Sequence, residues 1–275
     1  MSPITYLRLT PHPLSILPDH PSLDPSPTRP PLNEFLTAIL TEAQTFVASI
    51  PDTFRRDRKL RRSPPATAPV HLSTRARSGE YWVCRKSVHK DAPVPGSASW
   101  EEFRAGLREH HSEHEMEYTP SVSAVKTLLE WPSAQELEQE LDVVMITHTF
   151  HPTALIAPRS FIVLVVSTDR PARGFVTVQI PLTVAPAGSD LDSWRNTISA
   201  SAPRNTIFAS YASVEQVLAT PDGLEWMVAT TSDAGGAIPQ WIQRSWTMGG
   251  VPKAVVADVG LFLGWTARNR SRSRP

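Results

Sequence analysis

The stretch that decides the fold is Leu224 to Trp265, LEWMVATTSDAGGAIPQWIQRSWTMGGVPKAVVADVGLFLGW. It opens with β-branched and aromatic residues suited to a strand, Leu224 to Ser232. Gly235 and Gly236 then permit a sharp turn, and Pro239 fits the first turn of a helix. Ile238, Trp241, Ile242 and Ser245 continue that helix, and Gly249, Gly250 and Pro252 bend or interrupt it. Val255, Val259, Phe262 and Trp265 resume an apolar stripe at three- and four-residue spacing. The pattern is a strand, a turn and a long, aromatic-rich C-terminal helix.

Upstream of this stretch the period is two. Segments around 122–130, 143–150, 160–168, 174–184 and 206–217 read as strands, several of them separated by short turns. From Phe175 to Val184 the alternation is clearest: Val176, Val178, Ile180, Leu182 and Val184 point one way, Thr177, Gln179 and Thr183 the other. One face is dry and the other wet by this reading. Strands that follow one another without helical patterns between them predict an antiparallel sheet. Residues 79–89, GEYWVCRKSVH, add a strand, and Ser99 caps a helix from Trp100 whose buried edge is Trp100, Phe103 and Leu107. Further upstream, Leu32, Phe35, Leu36, Ile39, Leu40, Ala43, Phe46, Val47 and Ile50 form one stripe of an amphipathic helix ended by Pro51.

Composition limits what such a chain does. Its 275 residues are 40% hydrophobic, and 27 basic side chains balance 27 acidic ones. That neutrality argues against a dedicated nucleic-acid binder. The longest strictly apolar run, Phe161 to Val166, is far short of the ~20 residues that cross a bilayer. One cysteine, Cys84, precludes an internal disulfide, and the proline-broken N-terminus does not resemble a secretory signal, so the expected location is cytoplasmic. Nine of 27 prolines fall within residues 1–31. That segment is expected to be a flexible Pro-rich leader, with a ligand-binding domain over 32–267 and a basic tail over 268–275. The run FRRDRKLRR at 54–62 reads as a solvated loop, with attraction to phosphate or headgroups as its functional alternative.

WEEF at Trp100 to Phe103, EYTP at Glu117 to Pro120, PRSF at Pro158 to Phe161 and TTSDAGGAIPQW at Thr230 to Trp241 resemble a fungal domain family of unknown function related to START lipid-transfer domains. The resemblance covers most of residues 80–265. It implies an α+β helix-grip fold, in which a curved antiparallel sheet wraps around a long C-terminal helix and an apolar ligand sits between them. It also implies a hydrophobic small-molecule partner (a lipid, sterol or polyketide-like compound) held by a carrier or sensor. The alternative is a cyclase or isomerase of specialised metabolism using the same cavity, so whether the chain is an enzyme stays open. A monomer with transient membrane-surface contact and no cofactor is expected.

Candidate ligand contacts follow from chemistry and position. Trp82, Tyr211 and Trp226 are strand aromatics able to line a pocket, and Trp241 stands at the start of the terminal helix. His148 shares a strand face with Val144, Ile146 and Phe150, and an enclosed histidine can orient a carbonyl or move a proton. Whether that face points inward is undecided. Arg159, just before the most apolar strand, carries a fork suited to a carboxylate or phosphate. His110 to His114, HHSEH, matches the H-x-x-E-H spacing of inverted zinc peptidases, but no acidic third ligand on a separate helix is in view, and polar residues at a helix end explain it better. Cys84, outside any metal-ligand spacing, is expected to be a packed thiol.

Overall fold

The computed structural model describes residues 5–23, 29–131, 141–151, 157–183 and 192–272. In chain order the elements are β1 (His12–Pro13), α1 (Leu32–Thr53), β2 (Arg55–Arg56), β3 (His71–Arg77), β4 (Glu80–His89), α2 (Trp100–Leu107), α3 (His111–Tyr118), β5 (Val122–Trp131), β6 (Leu141–Phe150), β7 (Arg159–Arg170), β8 (Gly174–Thr183), α4 (Asp192–Ser201), β9 (Ile207–Thr220), β10 (Gly223–Asp233), α5 (Gln240–Gln243) and α6 (Val251–Arg272). One sheet runs β2-β3-β4-β10-β9-β8-β7-β6-β5. Its neighbours are antiparallel except where β1 joins β8 and where β7 meets β9 over three residue pairs. The architecture is α+β, with a curved, unclosed sheet and a long C-terminal helix.

Alternation gives each strand one set of side chains for each face. On the outer face Cys84, Met145, Leu164, Val178 and Val214 pack against Phe35, Leu36, Ile39, Ala43 and Phe46, the apolar stripe of α1. On the inner face Val83, Phe175, Val217 and Trp226 meet Phe103 and Leu107 of α2 and Val255, Val259 and Phe262 of α6. A Cβ on Gly106 would lie 2.7 Å from both Phe262 and Trp265, so glycine lets α2 approach α6 closely. Ser99 and Glu102 form a complete capping box on α2.

Three segments depart from the sequence reading. The N-terminal segment is packed where it is described: Tyr6, Leu7, Leu14 and Leu17 are buried in the outer core. Glu42 accepts the Tyr6 and Leu7 amides at 2.7 and 3.1 Å, and Arg29 donates to the Leu14 and Leu17 carbonyls. Proline count alone suggested flexibility, but an extended strap needs few donors, and its leucines have an apolar sheet face to cover. Residues 1–4 and 24–28 of that expected leader lie outside the described residues. At the other end, Arg268, Arg270 and Arg272 belong to α6, and Arg270 donates to Glu102 and to the Ser97 carbonyl at 2.6 Å. Arg274 and Val184 lie outside the described residues.

The third departure is the helix expected from Pro239, which is only the four-residue α5. Gly235 and Gly236, both at φ 63°, make the turn before it. Pro51, expected to end α1, instead lies within its last turn.

Candidate functional site

Between the inner face and helices α3 and α6 is a cavity of about 340 Å³, a size found among small-molecule pockets. Strand alternation decides what it meets. Thr177 and Gln179, the polar set of β8, are buried, and Gln179 borders the cavity. The face read as wet is therefore an interior one, because alternation distinguishes two faces without saying whether the polar one meets solvent.

The charged floor comes from β4, β9 and β10. Arg85 is 1% exposed, and its guanidinium carbon stands 3.7 Å from the centre of the Trp226 ring. Its Nη2 lies 4.0 Å from Glu215 Oε1, while Nε and Nη1 have no hydrogen-bond partner. Glu215 Oε1 accepts the Trp226 indole N–H at 2.6 Å, and its other oxygen is 3.5 Å from His111 Nδ1. Burial pulls the guanidinium below its ordinary range, with Glu215 and Asp258 opposing. Two donor nitrogens left unmet in a buried cation are costly.

Across the cavity runs a hydrogen-bond chain. His148 Nδ1 donates to the Tyr211 hydroxyl at 3.2 Å, and that hydroxyl donates to Gln179 Oε1. Gln179 Nε2 donates to His111 Nε2 at 3.1 Å, and His111 Nδ1 donates to the Leu107 carbonyl at 2.8 Å. With the amide in this orientation, no other proton arrangement satisfies all four contacts. Burial holds His148 neutral, at about 3, and pushes the Tyr211 phenol well above its ordinary value. Neither side chain carries charge near neutrality.

Two carboxyl groups complete the wall. Glu115 on α3 is pushed up to about 7, first by desolvation, with Asp258 and Glu215 adding and His111 opposing. Desolvation likewise lifts Asp258 on α6 to about 6. The 23% of the Glu115 side chain that is open belongs to a residue lining the cavity, so its carboxyl is poorly hydrated despite that exposure.

Of the expected contacts, Arg159, Tyr211 and Trp226 border the cavity. Arg159 directs Nε to the Ala234 carbonyl at 3.3 Å and Nη1 to the Ala157 carbonyl, so its fork holds backbone beside the Gly235–Gly236 turn. His148 is fully buried and reaches the cavity only through Tyr211; the face it shares with Ile146 and Phe150 is the inner one. Trp82 is corrected to the outer face, 4.6 Å from the Phe46 ring, because β4 turns Val83 and Arg85 inward and therefore Trp82 and Cys84 outward. Trp241 is corrected to the surface at 64% exposure, since four-residue α5 does not carry it over the sheet.

Arg85, Glu115, Glu215 and Asp258 escaped the sequence reading. The signal for Arg85 was its place in step with Val83 on a strand, which implies enclosure once that face is known to be inner. In the HHSEH run, His110 sits at φ 45° before α3 begins, breaking the continuous helix a zinc pair would need. Among the described residues no group of three or more His, Cys, Asp or Glu side chains is placed to hold a metal ion. Cys84 is buried, and desolvation raises its thiol to about 11.

Comparison with known proteins fits this geometry. Among solved structures, the chain is similar to human StAR-related lipid transfer protein 5, with 10% identity over 87% of this chain and 100% of that one and a TM-score of 0.58. It is also similar to human STARD10, with 11% identity over 86% of this chain and 85% of that one and a TM-score of 0.53. At such identity the likeness establishes a START-like fold. No curated protein matches. Residues 82–266 match the family described as protein of unknown function (DUF3074), and the chain belongs to that family.

Proposed function

We propose that this DUF3074 protein encloses an apolar small molecule, lipid-, sterol- or polyketide-like, as a carrier or sensor, with an acceptor group of the ligand docked on Arg85. The observation that carries the reading is the Arg85 guanidinium, buried in the lining of a cavity otherwise walled largely by apolar atoms, with its Nε and Nη1 unpartnered. A carboxylate, carbonyl or hydroxyl oxygen brought against the guanidinium supplies an acceptor it lacks and lessens the cost of burying that cation. The likeness to a protein named for lipid transfer supports the apolar part. No helix among the described residues is long and apolar enough to cross a membrane. Exposed Trp241 and Met248, on the segment between β10 and α6, support transient contact with a membrane surface by a cytoplasmic monomer. The domain proposed is residues 32–267, with the N-terminal strap packed onto its outer face.

The test is binding of a fluorescent long-chain fatty acid to wild type and Arg85→Met, with native mass spectrometry of the purified protein. The expected result is a loss of tenfold or more in the variant, with a smaller loss for the methyl ester. Absence of binding by acid, ester and sterol probes, together with a bare-chain mass, would overturn the reading.

A second reading, an isomerase or cyclase, is favoured by one observation. Glu115 and Asp258, on different helices, face one cavity with carboxyls raised to about 7 and 6, where each can give or take a proton near neutrality. On this reading the carboxyl groups do the proton transfer expected of His148. Turnover abolished by Glu115→Gln, with ligand affinity retained, would separate it from the carrier.

A further inference from the structure

A second hollow, of about 400 Å³, lies along the inner face from the first, walled by β5, β6, β7 and the α2–α3 turn. His111 borders both hollows. Beneath it the floor is continuous. On β7, Phe161 borders the first hollow and Val165 the second, and Val163 between them belongs to the same apolar cluster. On β6, Phe150 borders the first and Ile146 the second, with His148 between.

The residue common to both linings is carried on α3. The His111 ring is held by two hydrogen bonds, to the Leu107 carbonyl and to Gln179. Each such bond is worth roughly fivefold in an equilibrium constant. Each methylene taken from water is worth roughly fourfold. Two or three further buried methylenes therefore offset turning the ring aside.

Resting on the enclosed-ligand reading, we propose that the two hollows are one binding volume partitioned by His111. The ligand is then an elongated chain with a different polar group at each end. The near end is the acceptor that meets Arg85. The far end lies by the Thr127 hydroxyl and the Glu113 and Glu130 carboxylates, with Asp142 already paired to Arg108 and the Ser167 hydroxyl to Thr177 at 2.7 Å. That wall, rich in acceptors, suits a hydroxyl or amine and rejects a second carboxylate. His111 thus sets the chain length admitted.

The experiment measures Kd for straight-chain acids from octanoic to octadecanoic, their ω-hydroxy counterparts and the matching diacids. In wild type, gains per methylene flatten once the first hollow is full, then resume for ω-hydroxy acids long enough to pass His111; diacids of that length bind at least tenfold more weakly. His111→Ala removes the flattening. Thr127→Trp, at an exposed position on β5, fills the second hollow and erases only the long-chain gain. If short acids bind but neither variant changes the length profile, or the diacids bind as well as the ω-hydroxy acids, the inference is overturned while the enclosed-ligand reading stands. If wild type binds none of these acids, the elongated-chain inference is overturned, and if the ester and sterol probes also fail and the purified chain has its bare mass, the enclosed-ligand reading itself fails.

Discussion

The two faces of this sheet are built from the same strands and do opposite things. Outside, α1 and the N-terminal strap press aliphatic and aromatic side chains into a dry, close-packed layer. Inside, the same strands offer Arg85, Gln179, Tyr211 and Glu215 to a space that α3 and α6 do not fill. The difference teaches a division of labour. A core packed at crystal-like density supplies stability. The space over the opposing face can then hold unmet donors from the sheet and raised carboxyls from α3 and α6, features that cost stability and point to ligand or proton chemistry.

The sharpest way to break that contrast is to truncate matching aromatics. Phe35 is 1% exposed and touches the Tyr6 ring edge-on at 5.2 Å. Phe35→Ala should cost about 3 to 5 kcal/mol in urea unfolding, the usual range for a buried phenylalanine. Phe150, half-buried at the cavity, already borders empty space, so Phe150→Ala should cost about half as much or less. Equal losses would mean that the inner face carries as much of the fold as the outer.

A smaller effect should come from Glu115. Its carboxyl rises from an ordinary 4.5 to about 7 on folding, mainly through desolvation. Between those values the folded chain holds a proton that the unfolded chain releases. The stabilising contribution is therefore full below pH 4.5 and is lost as pH rises through 7. Glu115→Gln should stabilise the protein at pH 8 by on the order of 1 to 3 kcal/mol and leave it near wild type at pH 4. Buried histidines away from Glu115, such as His12 and His89, titrate alike in both proteins, so they cancel in the difference. Identical pH profiles would show that the carboxyl is well hydrated and the cavity open to solvent.

How much of this could be read beforehand depends on the range of the interactions. The stripes of α1 and α6 were legible because a helix face is a local pattern, and so was the alternation of β8. What alternation left out was the meaning of the polar face: Gln179 and Thr177 look like solvent-facing residues until two helices cover them. The strap was misread because prolines are conspicuous, while Leu7, Leu14 and Leu17 gain significance only beside a sheet face. Tyr211 and Trp226 were found as strand aromatics, whereas Trp82 shares their chemistry and differs only in strand parity. Arg85, Glu115, Glu215 and Asp258 come from four separate elements and converge only through topology, which no spacing in the chain encodes.

The smallest predicted effect tests whether the inner face is wet. Tyr211→Phe removes one hydroxyl and leaves the His148 Nδ1 donor and the Gln179 Oε1 acceptor without their shared partner. In a sealed interior such orphans cost up to about 3 kcal/mol. Here the hydroxyl leaves a space beside a cavity lined by Tyr211 and Gln179, with room for water, and a water molecule there can bridge the two groups nearly as well as the phenol did. The expected loss is therefore about 1 kcal/mol by urea unfolding at pH 7. The burial-raised phenol keeps its proton at that pH, so no loss of charge is mixed into the measurement. A loss near 3 kcal/mol would mean that water does not follow, leaving the inner face as closed as the outer and the polar chain a structural clasp rather than part of a ligand's surroundings.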